Sequence, residues 1–98
     1  MTKLYLNEIV TLKDDQIVVS PTATYSGENS DEVYREAEIA YHSKCAYNLQ
    51  QKSTQKDFLV QVITETGVII PEMKRFYRFP EEQPEPEPSN ETESNTEG

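Results

Sequence analysis

The chain has 98 residues, 35% of them hydrophobic, with nine basic and eighteen acidic side chains and a net charge of −9. That length makes one small domain, near the size at which an apolar core barely offsets chain entropy, and the acidic balance disfavours binding to a nucleic-acid backbone. A lone cysteine, Cys45, excludes a disulfide-stapled secreted scaffold and fits a reducing compartment; apolar runs reach only triplets such as Val68-Ile69-Ile70, so neither a signal peptide nor a membrane span is expected and the reading is cytoplasmic.

Along residues 3–13 the sequence alternates as a strand does, with Leu4, Leu6, Val10 and Leu12 on one face and Tyr5, Asn7, Ile9 and Thr11 on the other. Glu8 interrupts the apolar face. Asp14-Asp15 reads as a turn, and residues 16–20 as a short returning strand that ends at Pro21. Ser, Thr, Gly and Asn crowd residues 22–29, which read as a connecting loop. The next element is a helix over 30–49. Asn29 or Ser30 can cap it, Asp31 and Glu32 suit the positive end of its dipole, and Asn29 with Glu32 has capping-box spacing. Val33, Ala37, Ala40, Tyr41 and Cys45 form one stripe, bordered by Tyr34 and extended by Leu49, while Ile39 falls on the opposite side.

After a polar link, residues 58–63 (Phe-Leu-Val-Gln-Val-Ile) read as a buried strand, and Thr64-Glu65-Thr66-Gly67 as the turn into a last strand. Pro71 removes a ladder donor, which places that strand at a sheet edge or breaks it, with residues 73–79 resuming beyond. The expected fold is α+β, ββαββ: a small antiparallel sheet with one helix on one face. The other face has nothing to cover it. The domain spans 1–79.

Residues 80–98 hold seven of the eighteen acids and none of the basic residues, so this segment carries −7 and residues 1–79 carry −2. Pro84, Pro86 and Pro88 rule out a helix there, and the polar stretch beyond them offers nothing apolar to repay ordering, so a disordered tail is expected. It can act as a solubility tail, as a lure for a basic partner, or as a cover for a basic patch on the same chain, with its first glutamates folding back over Arg75 and Arg78.

Candidate chemistry is sparse. Glu38, His42 and Cys45 lie at i, i+4 and i+7 on one side of the helix, but a zinc site wants a fourth ligand and the chain has no second Cys or His, so no metal and no cofactor are expected. Cys45 with His42 lacks an orienting third group and an oxyanion site, and no phosphate-binding glycine motif occurs; no catalytic residue is assigned and the chain reads as a non-enzyme. Lys74-Arg75-Phe76-Tyr77-Arg78-Phe79 interleaves three cations with three aromatics. That pattern suits single-stranded nucleic acid, or an edge strand whose charges deter pairing while alternate aromatics complete the core; the second reading is favoured. Six tyrosines and no tryptophan, with Tyr34 and Tyr41 stacked seven apart on the helix, suit half-buried contact positions. The candidate interaction surface is Tyr34, Ile39, Tyr41, Lys74, Arg75, Phe76, Tyr77 and Arg78, and a protein partner or a second copy is the expected ligand.

The helix segment Glu36-Ala37-Glu38-Ile39-Ala40-Tyr41-His42, the strand 58–63 and the turn glycine Gly67 resemble a class of small proteins encoded by tailed bacteriophages, especially those of gut bacteria. The resemblance spans residues 3–79 in arrangement and carries no catalytic residue. It implies a viral accessory or virion-associated protein made in the bacterial cytoplasm, while the uncovered sheet face, the small core and the tyrosines favour self-association or docking through that face. Two further functions remain open: an inhibitor of a host nucleic-acid enzyme that uses the acidic tail, and a single-strand binder that uses Lys74 to Phe79.

Overall fold

The computed structural model describes residues 1–81, and the fold is α+β, a five-stranded antiparallel sheet with one helix. The elements run β1 (Thr2–Leu12), β2 (Ile17–Val19), β3 (Ala23–Gly27), α1 (Ser30–Leu49), β4 (Gln55–Thr64) and β5 (Ile69–Arg78). Strand order is β2-β1-β4-β5, and β3 also pairs with β1. β1 therefore carries two short strands along one edge: β3 beside its first half, with Leu4 opposite Tyr25, and β2 beside its second half, with Ile9 opposite Val19. The expected tail falls, beyond Pro80 and Glu81, outside the described residues.

β3 corrects the expectation of a loop over residues 22–29. Its small polar residues look like a linker, yet Ala23 and Tyr25 alternate toward the core, opposite Leu6 and Leu4. Ladder bonds to β1 and burial of those two side chains outweigh weak strand propensity. At its end, a Cβ on Gly27 would approach Val33 Cγ2 to 3.2 Å, so glycine lets the chain pass close beneath the helix.

Both hairpin turns solve one geometric problem. Asp15 N–H donates to the Leu12 carbonyl at 2.9 Å with Asp15 at φ 73°, and Gly67 N–H donates to the Thr64 carbonyl at 2.9 Å with Gly67 at φ 89°. Each left-handed residue closes a three-residue loop; glycine takes that conformation freely and aspartate tolerates it. Asp15 is additionally held by an ion pair with Lys56.

Asn29 caps α1 by accepting from the N–H groups of Asp31 at 3.0 Å and Glu32 at 3.3 Å. The stripe Val33, Ala37, Tyr41 and Cys45 packs on Leu4, Leu6 and Val10 of β1, Phe58, Val60 and Val62 of β4, and Met73 of β5. Phe58, Val60, Val62 and Met73 have no exposed surface, and each such side chain contributes about 1.5–3 kcal/mol. β5 is an edge strand, and it is also irregular: between the pairs Gln61–Lys74 and Ile63–Ile69 it carries extra residues, among them Pro71, and Met73 drops into the core there. Tyr77 and Phe79 close the far end on Phe58, with ring centroids 5.9 and 6.2 Å from it.

Beneath α1, Glu8 is buried and kept as part of the architecture. Ser20 Oγ donates to its Oε1 at 2.7 Å, Asn48 Nδ2 donates to its Oε2 at 2.6 Å, and Lys44 Nζ lies 3.3 Å away. Gln55 Nε2 donates to Asn48 Oδ1 at 3.0 Å, so the buried polar residues of β1, α1 and β4 form one chain of bonds. Burial pushes the Glu8 carboxyl up, but the hydrogen bonds from Asn48 and Ser20 together with the Lys44 ammonium outweigh it and hold the group below the usual carboxylate range.

Candidate interaction surface

Because directly paired residues of an antiparallel ladder share a face, the register defines what the sheet presents away from α1. One row runs Val19, Ile9, Leu59, Phe76 across all four lanes. The row on one side of it is Ile17, Thr11, Asp57 and Arg78, and on the other Asn7, Gln61 and Lys74, followed by Thr24, Tyr5, Ile63 and Ile69. Ile17 is 64% exposed, Val19 65% and Phe76 57%. Ile9, Leu59, Tyr5 and Ile63 are half-buried only by their neighbours in the sheet. Among the described residues nothing lies over this face, and scattered single apolar residues would need no explanation, whereas a continuous row does.

The open face is nearly free of acid. Its charged side chains within the strands are Lys3, Asp57, Lys74 and Arg78, and Arg78 Nη2 bonds Asp57 Oδ2 at 3.5 Å across the ladder.

The structure scatters the sequence-derived surface residues. Lys74, Phe76 and Arg78 lie on the open face. Arg75 and Tyr77 point to the helix side, where the Arg75 guanidinium sits 5.6 Å from the Tyr77 ring centre and Tyr77 packs on Phe58. The basic-aromatic segment is thus two half-strips on opposite faces, and its alternate aromatics Tyr77 and Phe79 complete the core. Tyr34 flanks the helix, donating its hydroxyl to Glu72 Oε2 at 3.3 Å. Ile39 is 64% exposed on the solvent side of α1, remote from the sheet. Tyr41 is a correction: it is 6% exposed and belongs to the core, since the helix stripe that carries it faces the sheet squarely, so it offers no contact surface.

Tyr5, Ile9, Ile17, Val19, Leu59 and Ile63 were missed as surface residues. The signal for them was the second face of β1 and the fully apolar triplet of β2. Both strands look like core when the partner layer is unknown.

The remaining chemical candidates come apart. Cys45 is buried, and burial pushes its thiol up, whereas His42 is exposed; among the described residues no group of three His, Cys, Asp or Glu side chains is placed to hold a metal ion. A cleft of about 760 Å³ lies where β1 ends and the chain leaves β5, with Lys13, Lys52, Lys56 and Arg78 on its walls beside Asp15, Asp57 and Glu81. The fold assembles this basic cluster from three segments, so no local pattern announced it. Asp15 and Asp57 pair with Lys56 and Arg78, which leaves the cleft close to neutral. The expected folding back of the acidic segment over Arg75 and Arg78 lies outside the described residues.

The chain matches no protein-family model, no curated protein and no solved structure. Among the described residues no helix is long and apolar enough to cross a membrane.

Proposed function

We propose that this chain is a non-enzymatic interaction module that docks a protein surface onto the uncovered face of its sheet. The observation that carries the reading is the unbroken apolar row Val19–Ile9–Leu59–Phe76, with a second apolar row of Tyr5, Ile63 and Ile69 beyond the polar row of Asn7, Gln61 and Lys74. Water against such a row is costly at about 25 cal/mol per Å² of apolar surface, and a partner presenting its own apolar strip removes that cost. The setting we propose is the one the sequence resemblance implies, a phage accessory or virion-associated protein in the bacterial cytoplasm.

The test is position-dependent photo-cross-linking in the expressing cell. A photoreactive residue replacing Phe76 is expected to give adducts, one replacing Ser43 on the outer side of α1 is expected to give none, and Val19→Lys in the first chain is expected to remove them. Equal labelling from the two positions, or none from position 76, refutes the docking face.

A second reading, a single-strand nucleic-acid binder, draws on one arrangement: Lys74, Phe76 and Arg78 share the open face, an aromatic ring between two cations. It predicts that a labelled single-stranded oligonucleotide gains anisotropy at low salt and loses it steeply as salt rises. No gain at low salt removes it.

A further inference from the structure

We infer that the occupant of the open sheet face is a second copy of this chain, packed face to face about a two-fold axis that runs parallel to the strands. The inference rests on the docking reading above and names its partner.

Area permits it. Four lanes at roughly 4.8 Å, each extending over about nine residues at about 3.3 Å, give a face of about 570 Å² per copy and about 1,100 Å² in a pair, above the threshold of about 1,000 Å² for a specific interface.

The pattern of the face selects the axis. A two-fold parallel to the strands reverses the lanes and preserves the rows, so it sets β1 of one copy over β4 of the other. Ile9 then meets Leu59, Tyr5 meets Ile63, Asn7 meets Gln61 and Thr11 meets Asp57, because these residues are already ladder partners within one chain. Apolar rows fall on apolar rows and amides on amides. The outer lanes cross over as well: Phe76 covers Val19 of the other copy, and the cations Lys74 and Arg78 lie over the lane of β2 and β3, whose residues on this face, Ile17, Val19, Thr24 and Ser26, carry no charge. Lys74 and Arg78 stand in the edge lane, so their heads reach water at the rim while their stems cover apolar surface.

The competing arrangements fail on charge. A two-fold perpendicular to the strands stacks β5 on β5 and brings Lys74 and Arg78 of both copies together. Edge-to-edge pairing of β5 with its copy around Phe76 sets Lys74 directly opposite Arg78, and like charges so placed are destabilising. Sheets packed face to face sit about 10 Å apart with their strands within about 30° of alignment, which the crossed-lane arrangement satisfies.

The experiment uses the full chain in a Cys45→Ala background and two single variants, Val19→Cys and Phe76→Cys, both at exposed positions that leave the core untouched. Light scattering is expected to give twice the monomer mass at micromolar concentration, and Val19→Lys, which sets a third cation against Lys74 and Arg78 of the other copy, is expected to return the monomer mass with circular dichroism unchanged. A short bismaleimide, spanning about 10 Å, is expected to link the mixed Val19→Cys and Phe76→Cys chains into a dimer and to link neither variant with itself. Within one chain these positions stand three lanes, about 14 Å, apart. Cross-linking of Phe76→Cys with itself overturns the lane-crossed dimer in favour of β5 against β5. A monomer mass across the concentration series overturns the second copy; if the photoreactive residue at position 76 still labels another protein in the cell, the docking face survives that result, and if it labels nothing, both fall.

Discussion

Replacing Glu8 by Gln tests whether the buried carboxylate is held by its partners or merely tolerated. The carboxylate accepts from Asn48 at 2.6 Å and from Ser20 at 2.7 Å, with Lys44 at 3.3 Å. In the variant the amide oxygen can keep the Asn48 bond while the Ser20 hydroxyl turns to accept from the new NH₂ group, so no bond need be lost outright. What is lost is charge assistance: two bonds of about 1.5–3 kcal/mol become neutral ones of about 0.5–1.5. Lys44 is 45% exposed and its pairing adds little. Desolvation relief for the neutral side chain offsets part of the loss, which leaves a net destabilisation of about 1–2 kcal/mol in neutral solution and a melting temperature lower by about 4–8 °C per kcal/mol. The Glu8 carboxyl is held below its ordinary value in the folded chain, so its stabilising contribution is complete above the unfolded-state pKa of about 4.3 and disappears as pH falls through the folded-state value. Urea unfolding followed by circular dichroism, on both chains from neutral pH down to about pH 3, should therefore show a gap that closes in acid. An unchanged gap at the acid end would mean that shape rather than charge holds the site, and a variant as stable as the parent at neutral pH would refute the reasoning altogether.

Asn48→Asp places a second carboxylate against Glu8 beneath the helix, and a loss of about 3 kcal/mol or more is expected at neutral pH, shrinking in acid where one of the pair takes a proton; the same pH series measures it. Gly67→Ala forces a side chain into φ 89° with no neighbour within 4 Å to clash, so its expected cost of about 1 kcal/mol is purely conformational and should appear in thermal melts without a change in the native spectrum. The Cys45 thiol, buried and pushed up, should react with an aromatic disulfide reagent far more slowly in the native chain than in urea; equal rates would place it at the surface.

The amino-acid sequence by itself determined every element whose period and ends agree locally. α1 follows from the stripe Val33, Ala37, Tyr41, Cys45 and its Asn29 cap; β1 follows from an alternation that only Glu8 interrupts, and β4 from its apolar run; the 64–67 turn follows from its glycine; and Pro71 limited β5 to an edge or a break, of which the structure shows an edge with an irregularity. Tertiary structure decided the rest, because each remaining feature is a relation between distant segments. β3 exists only because β1 offers an edge to residues with little strand preference. Glu8 reads as a flaw in an apolar face until Ser20, Lys44 and Asn48 arrive beside it from twelve, thirty-six and forty residues away. The helix pattern of Tyr41 is the same whether a partner or the sheet covers it, and packing assigned it to the sheet. The candidate site shows the limit most plainly. Alternation says that Ile9, Val19, Leu59 and Phe76 belong to faces, but the pairing register puts them in one row, and the placement of α1 leaves that row on the open side.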